Sequence, residues 1–125
     1  MTLFEKWNEK LGAQKQKNVP SIRSTILHRL AEDRIALKYH ATNVVTAHRD
    51  GSITLDSGGW RTATTKARMT DAIRTGGGAF GGVYSNKGEW ILYRCDGVNV
   101  PYADGITIAA DGRRAIAPDY ILSHE

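Results

Sequence analysis

The segment DGSITLDSGGWRTATTKARMTDAIR, residues 50–74, contains a turn, a strand, a second turn and a helix in one unbroken run. The Asp-Gly pair at its start lies between two β-prone runs, 44–48 and 53–55, and such a pair supplies the positive φ angles of a tight hairpin. Gly58 and Gly59 then end the strand, because they permit backbone conformations closed to other residues. The segment therefore predicts a β-hairpin followed by a helix.

The helix is predicted from about Lys66 to Arg74, because apolar residues recur there at helical spacing: Met69, Ala72 and Ile73. Thr64 or Thr65 is the expected N-cap, since a threonine hydroxyl can accept a hydrogen bond from a free N–H group of the first turn. Trp60 is expected to be buried and to fix the glycine turn, with Trp90 as a second neighbour of the helix.

The charges at the start of this helix are unusual. A helix N-terminus favours Asp or Glu, yet Lys66 and Arg68 stand in the first turn, and Arg61 is nearby. Free N–H groups, threonine hydroxyls and these cations together resemble a phosphate or carboxylate site. The alternative is a simple threonine cap with solvated cations. The candidate anion-, nucleic-acid- or partner-binding residues are Arg61, Thr64, Thr65, Lys66, Arg68, Lys15 and Lys17.

The composition indicates one domain with a basic N-terminal and central part. Lys and Arg outnumber Asp and Glu by 17 to 13 over 125 residues, and the excess lies within residues 1–74. A pI near 9.4 fits contact with nucleic acid or with an acidic protein surface. Cys95 is the single cysteine, so an internal disulfide is excluded and a reducing cytoplasm is favoured. No apolar run reaches the length of a membrane span.

Residues 1–18 are predicted to form a peripheral helix and a basic linker, with a single α+β domain over 19–125. An apolar stripe defines the helix, which ends at Gly12: Leu3, Phe4, Trp7 and Leu11. Residues 13–18 are polar and lack periodicity, so we expect a mobile linker there. Residues 22–30 fit either a helix or a strand, and we favour a strand.

The remaining chain reads as short strands joined by tight turns. In residues 35–40 the large apolar side chains occupy every second position, as in a half-buried strand, and residues 83–93 have the pattern of a hairpin. Asp-Gly pairs at 96, 104 and 111 predict an antiparallel meander. The expected fold class is α+β, a twisted antiparallel sheet of about five to seven short strands with one helix packed on a face.

The sequence favours a protein without enzymatic chemistry or a cofactor. Gly76–Gly82 contains G-x-G-x-x-G, but a predicted helix precedes it and a hairpin follows, which is the wrong order for a dinucleotide site. The four histidines lack zinc-ligand spacing. His40, Asp56 and Ser57 form the one candidate hydrolytic triad, although Ser57 lacks a nucleophile elbow. Cys95 is expected to be a buried apolar residue.

Two runs, residues 40–46 and 51–69, resemble a block found in small, uncharacterised proteins of tailed bacteriophages and cover about a quarter of the chain. The most distinctive part is SGGWRTATTKARM, residues 57–69. Residues 88–90 and 104–106 are similar to that family's C-terminal half, while the N-terminal 34 residues lie outside the shared block. The resemblance implies a phage-encoded protein of the host cytoplasm that has no cofactor and acts by binding, including blocking of host defence complexes.

We therefore expect a phage-encoded, non-enzymatic binding protein that engages nucleic acid or a host nucleic-acid-handling or defence complex. The binding surface would comprise the basic N-terminal region and the segment Arg61–Arg68. A second hypothesis is a small hydrolase or nucleotide-processing enzyme that uses His40, Asp56 and Ser57. A minor virion component is a third.

Overall fold

The computed structural model describes residues 2–19 and 25–118, and these residues form two helices and ten strands. The helices are α1 (Leu3–Leu11) and α2 (Ala63–Gly76). The strands are β1 (Gln16–Asn18), β2 (Thr25–Ala31), β3 (Arg34–Tyr39), β4 (Thr42–His48), β5 (Ile53–Leu55), β6 (Phe80–Asn86), β7 (Glu89–Arg94), β8 (Asn99–Pro101), β9 (Ile106–Ile108) and β10 (Ala115–Ile116).

The strands are arranged in two antiparallel sheets. The main sheet has seven strands in the order β1-β2-β3-β4-β5-β9-β10, and the smaller sheet has the order β6-β7-β8. The predicted α+β class with antiparallel sheets is confirmed. The expected single sheet is instead two, and the last third of the chain contributes strands to both.

The hairpin at Asp50-Gly51 is confirmed, because β4 and β5 pair in antiparallel register. Gly51 has a φ of 100°, and the Asp50 carboxylate accepts hydrogen bonds from the backbone N–H and the hydroxyl of Ser52. These hydrogen bonds hold the pKa of Asp50 below its usual range. The strand favoured for the ambiguous stretch is also confirmed as β2, while residues 22–24 of that stretch lie outside the described residues.

The N-terminal helix is part of the core, so its description as peripheral was wrong. Its apolar stripe lies as predicted, and all four side chains are buried in the same cluster as the sheet and α2: Leu3, Phe4, Trp7 and Leu11. A capping box between Thr2 and Glu5 fixes its start. Because α2 alone does not cover the apolar face of β2, β3 and β4, α1 buries the rest.

The predicted linker contains the edge strand β1. Residues 16–18 pair with residues 26–28 of β2 in antiparallel register. All three side chains of β1 are exposed, so the segment shows no alternation of apolar and polar residues. Only its backbone hydrogen bonds identify it as a strand, and these are not visible in the sequence.

The Asp-Gly turns are where they were predicted, but they do not form one meander. The turn at Asp96-Gly97 joins β7 to β8, and the turn at Asp111-Gly112 joins β9 to β10. The turn at Asp104-Gly105 instead carries the chain from the small sheet to the main sheet, where β9 pairs with β5. Turn residues determine a local reversal, but they do not determine which sheet the next strand joins.

The glycine-rich run serves close packing. At residue 78, where φ is +62°, a Cβ atom would lie 2.6 Å from the Cα atom of Gly112. At residue 82 a Cβ atom would lie 2.6 Å from Thr70 Cγ2, so α2 packs directly on β6. The Thr70 hydroxyl also accepts a hydrogen bond from the Val83 N–H group. The run connects α2 to β6. A helix therefore precedes the glycines and a strand follows them, as predicted, which is the reverse of the order in a dinucleotide site.

Helix α2 begins three residues earlier than predicted, and its N-cap is Thr62 and not Thr64 or Thr65. Thr62 has an extended backbone, with φ −105° and ψ 163°, and its side chain accepts a hydrogen bond from the Thr65 N–H group at 3.2 Å. Thr64 and Thr65 lie inside the first turn. Three threonines, at positions 62, 64 and 65, occur at the start of this helix, so residue preference alone does not identify the cap.

We expect Thr62→Ala to lower the free energy of unfolding by about 1 kcal/mol, because the Thr65 N–H group loses its acceptor. Urea unfolding followed by circular dichroism measures this change. Thr64→Ala is the matched control, since Thr64 lies in the same turn but is not the cap. An equal loss in both variants would show that the cap is misassigned.

Candidate functional site

The predicted binding residues lie on two different sides of α2. Lys66 lies toward the small sheet, where its Nζ atom donates a hydrogen bond to Ser85 Oγ at 3.0 Å. The Arg61 guanidinium lies over the rings of Trp90 and Tyr102, at 5.3 and 5.1 Å from their centroids. These two cations are therefore positioned by aromatic rings and by a strand.

The opposite face of α2 carries Thr65, Arg68, Ala72 and Thr75, which share a face because they are three or four residues apart. Two cavities, each of about 420 Å³, lie along this face. Leu37 and Tyr39, alternate residues of β3, line one cavity each. Thr65 and Arg68, which were predicted to belong to one site, therefore line two different cavities.

The first cavity, which we call the aromatic cavity, lies at the N-terminal end of α2. Its walls combine three aromatic rings with hydroxyl groups: Tyr39, His40, Trp60, Thr42, Ser57, Thr62 and Thr65. The rings of Tyr39 and His40 are 4.3 Å apart and inclined at 50°. His40 has a φ of 55°, a region that few residues other than glycine occupy and that occurs often at functional sites.

Trp60 is 71% exposed, so the expectation that it is buried was wrong. Trp90 is buried as expected, and its ring packs 5.4 Å from that of Tyr102. The turn of Gly58 and Gly59, both with positive φ, directs the chain outward at this point. The size of a tryptophan favours a core position, but which of the tryptophans is buried depends on the tertiary structure.

The turn that presents Trp60 is held by side-chain hydrogen bonds. Asp56 accepts from the Gly58 N–H group at 2.7 Å, and Ser57 Oγ accepts from the Gly59 N–H group at 3.2 Å. The Trp60 N–H group donates to the Ser57 carbonyl at 3.0 Å. The exposed indole is therefore attached to a fixed turn.

A carboxylate beneath this turn organises it. Asp104 Oδ1 accepts from Ser57 N, Ser57 Oγ and Tyr102 Oη, at 2.9, 2.8 and 2.7 Å. Burial acts to raise the pKa of Asp104, but the hydrogen bonds from Tyr102 and Ser57 outweigh it and hold that pKa below its usual range. Burial, together with the bond to Asp104, raises the pKa of Tyr102. The sequence identified Asp104 only as a turn residue.

The three residues of the candidate triad do not form its hydrogen bonds. The buried Ser57 hydroxyl donates to Asp104, and no hydrogen bond joins it to His40 in the described part of the chain. Asp56 binds the Gly58 N–H group instead of orienting a histidine. The geometry therefore provides no activated serine here.

The second cavity, which we call the cationic cavity, lies between α1, β1 and the part of α2 from Arg68 to Thr75. It brings together Lys17 and Arg68, which the sequence analysis proposed separately, with Lys10, which it missed. Lys15 lies apart, where its carbonyl accepts from the Arg29 N–H group. Thr64 is half-buried in the first turn of α2. No sequence motif relates Lys10, Lys17 and Arg68, because the three belong to different elements.

Cys95 is exposed, so its prediction as a buried residue was wrong. β7 ends at Arg94, and Cys95 lies in the following turn, where its N–H group donates to the Ala79 carbonyl. Among residues 2–19 and 25–118, no group of three or more His, Cys, Asp or Glu side chains is placed to hold a metal ion. None of the helices described is long and apolar enough to cross a membrane.

A family model described as "Kyanoviridae Gp96 protein" matches residues 6–109. The matched range extends from α1 to the end of β9 and therefore includes both cavities. It also includes most of the N-terminal region that was placed outside the phage-like block. No match is found among curated proteins or among solved structures.

Proposed function

We propose that this chain, which belongs to the Kyanoviridae Gp96 protein family, is a phage-encoded, non-enzymatic protein that binds single-stranded nucleic acid in the host cytoplasm. One observation carries the proposal: a tryptophan that is 71% exposed stands on a fixed turn at the mouth of an aromatic cavity. Proteins that bind single strands present aromatic side chains on which bases stack, beside cations that follow the backbone.

The aromatic cavity has the chemistry that an unpaired base requires. Trp60 offers an open ring face, and Tyr39 and His40 add two further rings. The hydroxyls of Thr42 and Thr62 can exchange hydrogen bonds with the polar edge of a base. Its volume of about 420 Å³ leaves room for a ring system and its sugar.

Cations lie on both sides of α2, within reach of a backbone that passes this cavity. Arg61 and Lys66 lie toward the small sheet, and Lys17 and Arg68 lie toward α1. None of these four forms an ion pair within the described ranges, where the ion pairs join Asp33 to Arg34, Asp96 to Arg94 and Asp111 to Arg114. Their charges therefore support binding to phosphates.

We expect Trp60→Ala to weaken binding of a fluorescein-labelled 20-nucleotide DNA single strand by roughly tenfold, since a stacked base contributes about 1–3 kcal/mol. The melting temperature should not change, because the side chain is largely exposed. Fluorescence anisotropy measures the affinity. Tyr84→Ala is the matched control, an aromatic residue of β6 that is 36% exposed. Equal affinities of the two variants would contradict the proposal.

Salt dependence tests the cations in the same assay. Each lost phosphate contact should reduce the slope of log affinity against log salt by about 0.7 for a single strand. Lys66→Ala and Arg68→Ala each remove one candidate contact, and Arg113→Ala is the control, because it removes an exposed charge from the β9–β10 turn, which lines neither cavity. Unchanged slopes in the first two variants would remove these residues from the binding surface.

A second candidate partner is a host complex that handles nucleic acid or acts in defence. The same exposed tryptophan favours it, because tryptophan is enriched among residues that dominate the energy of protein interfaces. Capture of host proteins by the tagged chain after nuclease treatment, with loss of capture in Trp60→Ala, would support a protein partner. Capture that disappears on nuclease treatment would support nucleic acid.

A further inference from the structure

The cationic cavity has an excess of positive charge. Lys10, Lys17 and Arg68 contribute three positive charges to its lining, and Asp71 contributes one negative charge. Although Asp71 is three residues from Arg68 on α2, the two form no ion pair, and neither lysine is paired in the part of the chain that the structure describes. The described lining therefore carries a formal excess of two positive charges.

Arg68 lacks the partner that a buried guanidinium nitrogen normally has. Its Nε atom is buried and has no hydrogen-bond acceptor among the described residues. Most buried polar groups in folded proteins are hydrogen-bonded, so an unpaired one beside a cavity needs an explanation, and a bound ion or ligand is one. The missing partner of an arginine is an acceptor, and an oxyanion is the strongest one.

Part of the remaining lining of this cavity is apolar and aromatic. Trp7 of α1 and Leu27 and Leu37 of the main sheet line the side that faces the core. Lys10 and Lys17 are exposed and lie at the rim, on α1 and on the edge strand β1. A ligand that fits both parts has an anionic group and a flat apolar body.

We propose that the cationic cavity binds a phosphate monoester carried on an aromatic or apolar body. A monoester has a charge of about −1.5 to −2 at neutral pH and three acceptor oxygens, which match the excess of two positive charges and the three cations. A carboxylate has one charge and two oxygens and matches them less well. The site shares Lys17 and Arg68 with the cations proposed to contact a strand, but it is distinct from the aromatic cavity, so a bound phosphate monoester goes beyond the proposed function.

The monoester can be a free small molecule or the terminal phosphate of a nucleic acid strand, since both present the same group. Two oligonucleotides that differ only in a 5′-phosphate distinguish these sources. Tighter binding of the phosphorylated strand, lost in Arg68→Gln, assigns the site to strand ends. Equal binding of the two strands, with phenyl phosphate still bound, assigns it to a free ligand.

The test is isothermal titration calorimetry of the full chain with phenyl phosphate, and with benzoate and inorganic phosphate as comparisons. We expect saturable binding of phenyl phosphate that is at least several-fold tighter than that of either comparison. Arg68→Gln should weaken it by about tenfold to a hundredfold, since a hydrogen bond to a charged group is lost. Lys17→Gln, on an exposed edge strand, should also weaken it without affecting the fold.

Lys87→Gln is the control, because it removes the same charge from the β6–β7 turn, away from the lining of this cavity. Absence of saturable binding to the unaltered chain would overturn the inference. Equal affinity of Lys17→Gln and Lys87→Gln, or benzoate binding as tight as phenyl phosphate, would also overturn it. These results do not depend on Trp60, so failure here and failure of the proposed function are distinguishable.

Discussion

Replacing Gly78 with alanine is expected to lower the free energy of unfolding by about 3 kcal/mol. The left-handed backbone at this residue, with φ +62°, costs a residue with a Cβ atom about 1–2 kcal/mol. The new Cβ atom would also lie 2.6 Å from the Cα atom of Gly112 and 2.8 Å from its carbonyl oxygen. Both are backbone atoms, so they cannot rotate away, and such overpacking typically costs about 1–3 kcal/mol more.

Chemical denaturation measures this loss, and Gly97→Ala is its matched control. Gly97 has a φ of +96°, which is no less strained for alanine, but nothing lies within 4 Å of the added Cβ atom. The control should therefore show only the backbone cost. If Gly78→Ala is no more destabilising than Gly97→Ala, the contact between the α2–β6 loop and the β9–β10 turn does not contribute as described.

Removing the carboxylate of Asp104 is the second change with a large expected effect. Asp104→Ala should lower the free energy of unfolding by about 3 kcal/mol or more, because three donors lose one shared acceptor and Ser57 is fully buried. Asp33→Ala is the control, since Asp33 forms only an exposed ion pair, which contributes about 0–1 kcal/mol. Similar losses in the two variants would contradict the role of Asp104.

The depressed pKa of Asp104 also predicts a dependence on pH. A carboxyl group whose pKa is lower when folded stabilises the protein above its unfolded value of about 3.9, and this contribution is lost as pH falls through the folded value. The difference in melting temperature between the unaltered chain and Asp104→Asn should therefore be largest near neutral pH and should shrink below about pH 4. A difference that stays constant with pH would show that folding does not lower the pKa of Asp104.

The sequence was sufficient to predict the elements that depend only on neighbouring residues. The Asp50-Gly51 hairpin and the stripe of α1 follow from turn chemistry and from periodicity within a few residues. The α+β class followed from the same patterns. The start of α2 was placed three residues late, because several neighbouring threonines are equally good caps.

The parts that the sequence did not predict depend on distant residues. Trp60 is outside the core, on a turn in which Gly58 and Gly59 both have positive φ, while Trp90 and Tyr102 are buried. Asp104 reaches Ser57 only because β9 pairs with β5 across a long interval of sequence. Lys17 and Arg68 belong to different elements and meet only through the packing of β1 and α2 around one cavity. Each of these features requires tertiary structure, which residue preferences do not specify.

The pairing of β5 with β9 also constrains how the chain reaches its native state. Residues 56–105, with α2 and the whole small sheet, lie between these two short strands. The main sheet therefore cannot be completed on a ribosome until Ile106–Ile108 have emerged, and β5 remains an open edge until then. Bringing together two strands that are so far apart in sequence costs conformational entropy before their contacts form, which makes this step slow. Formation of the small sheet with α2 beforehand would shorten the effective interval and so speed the closure.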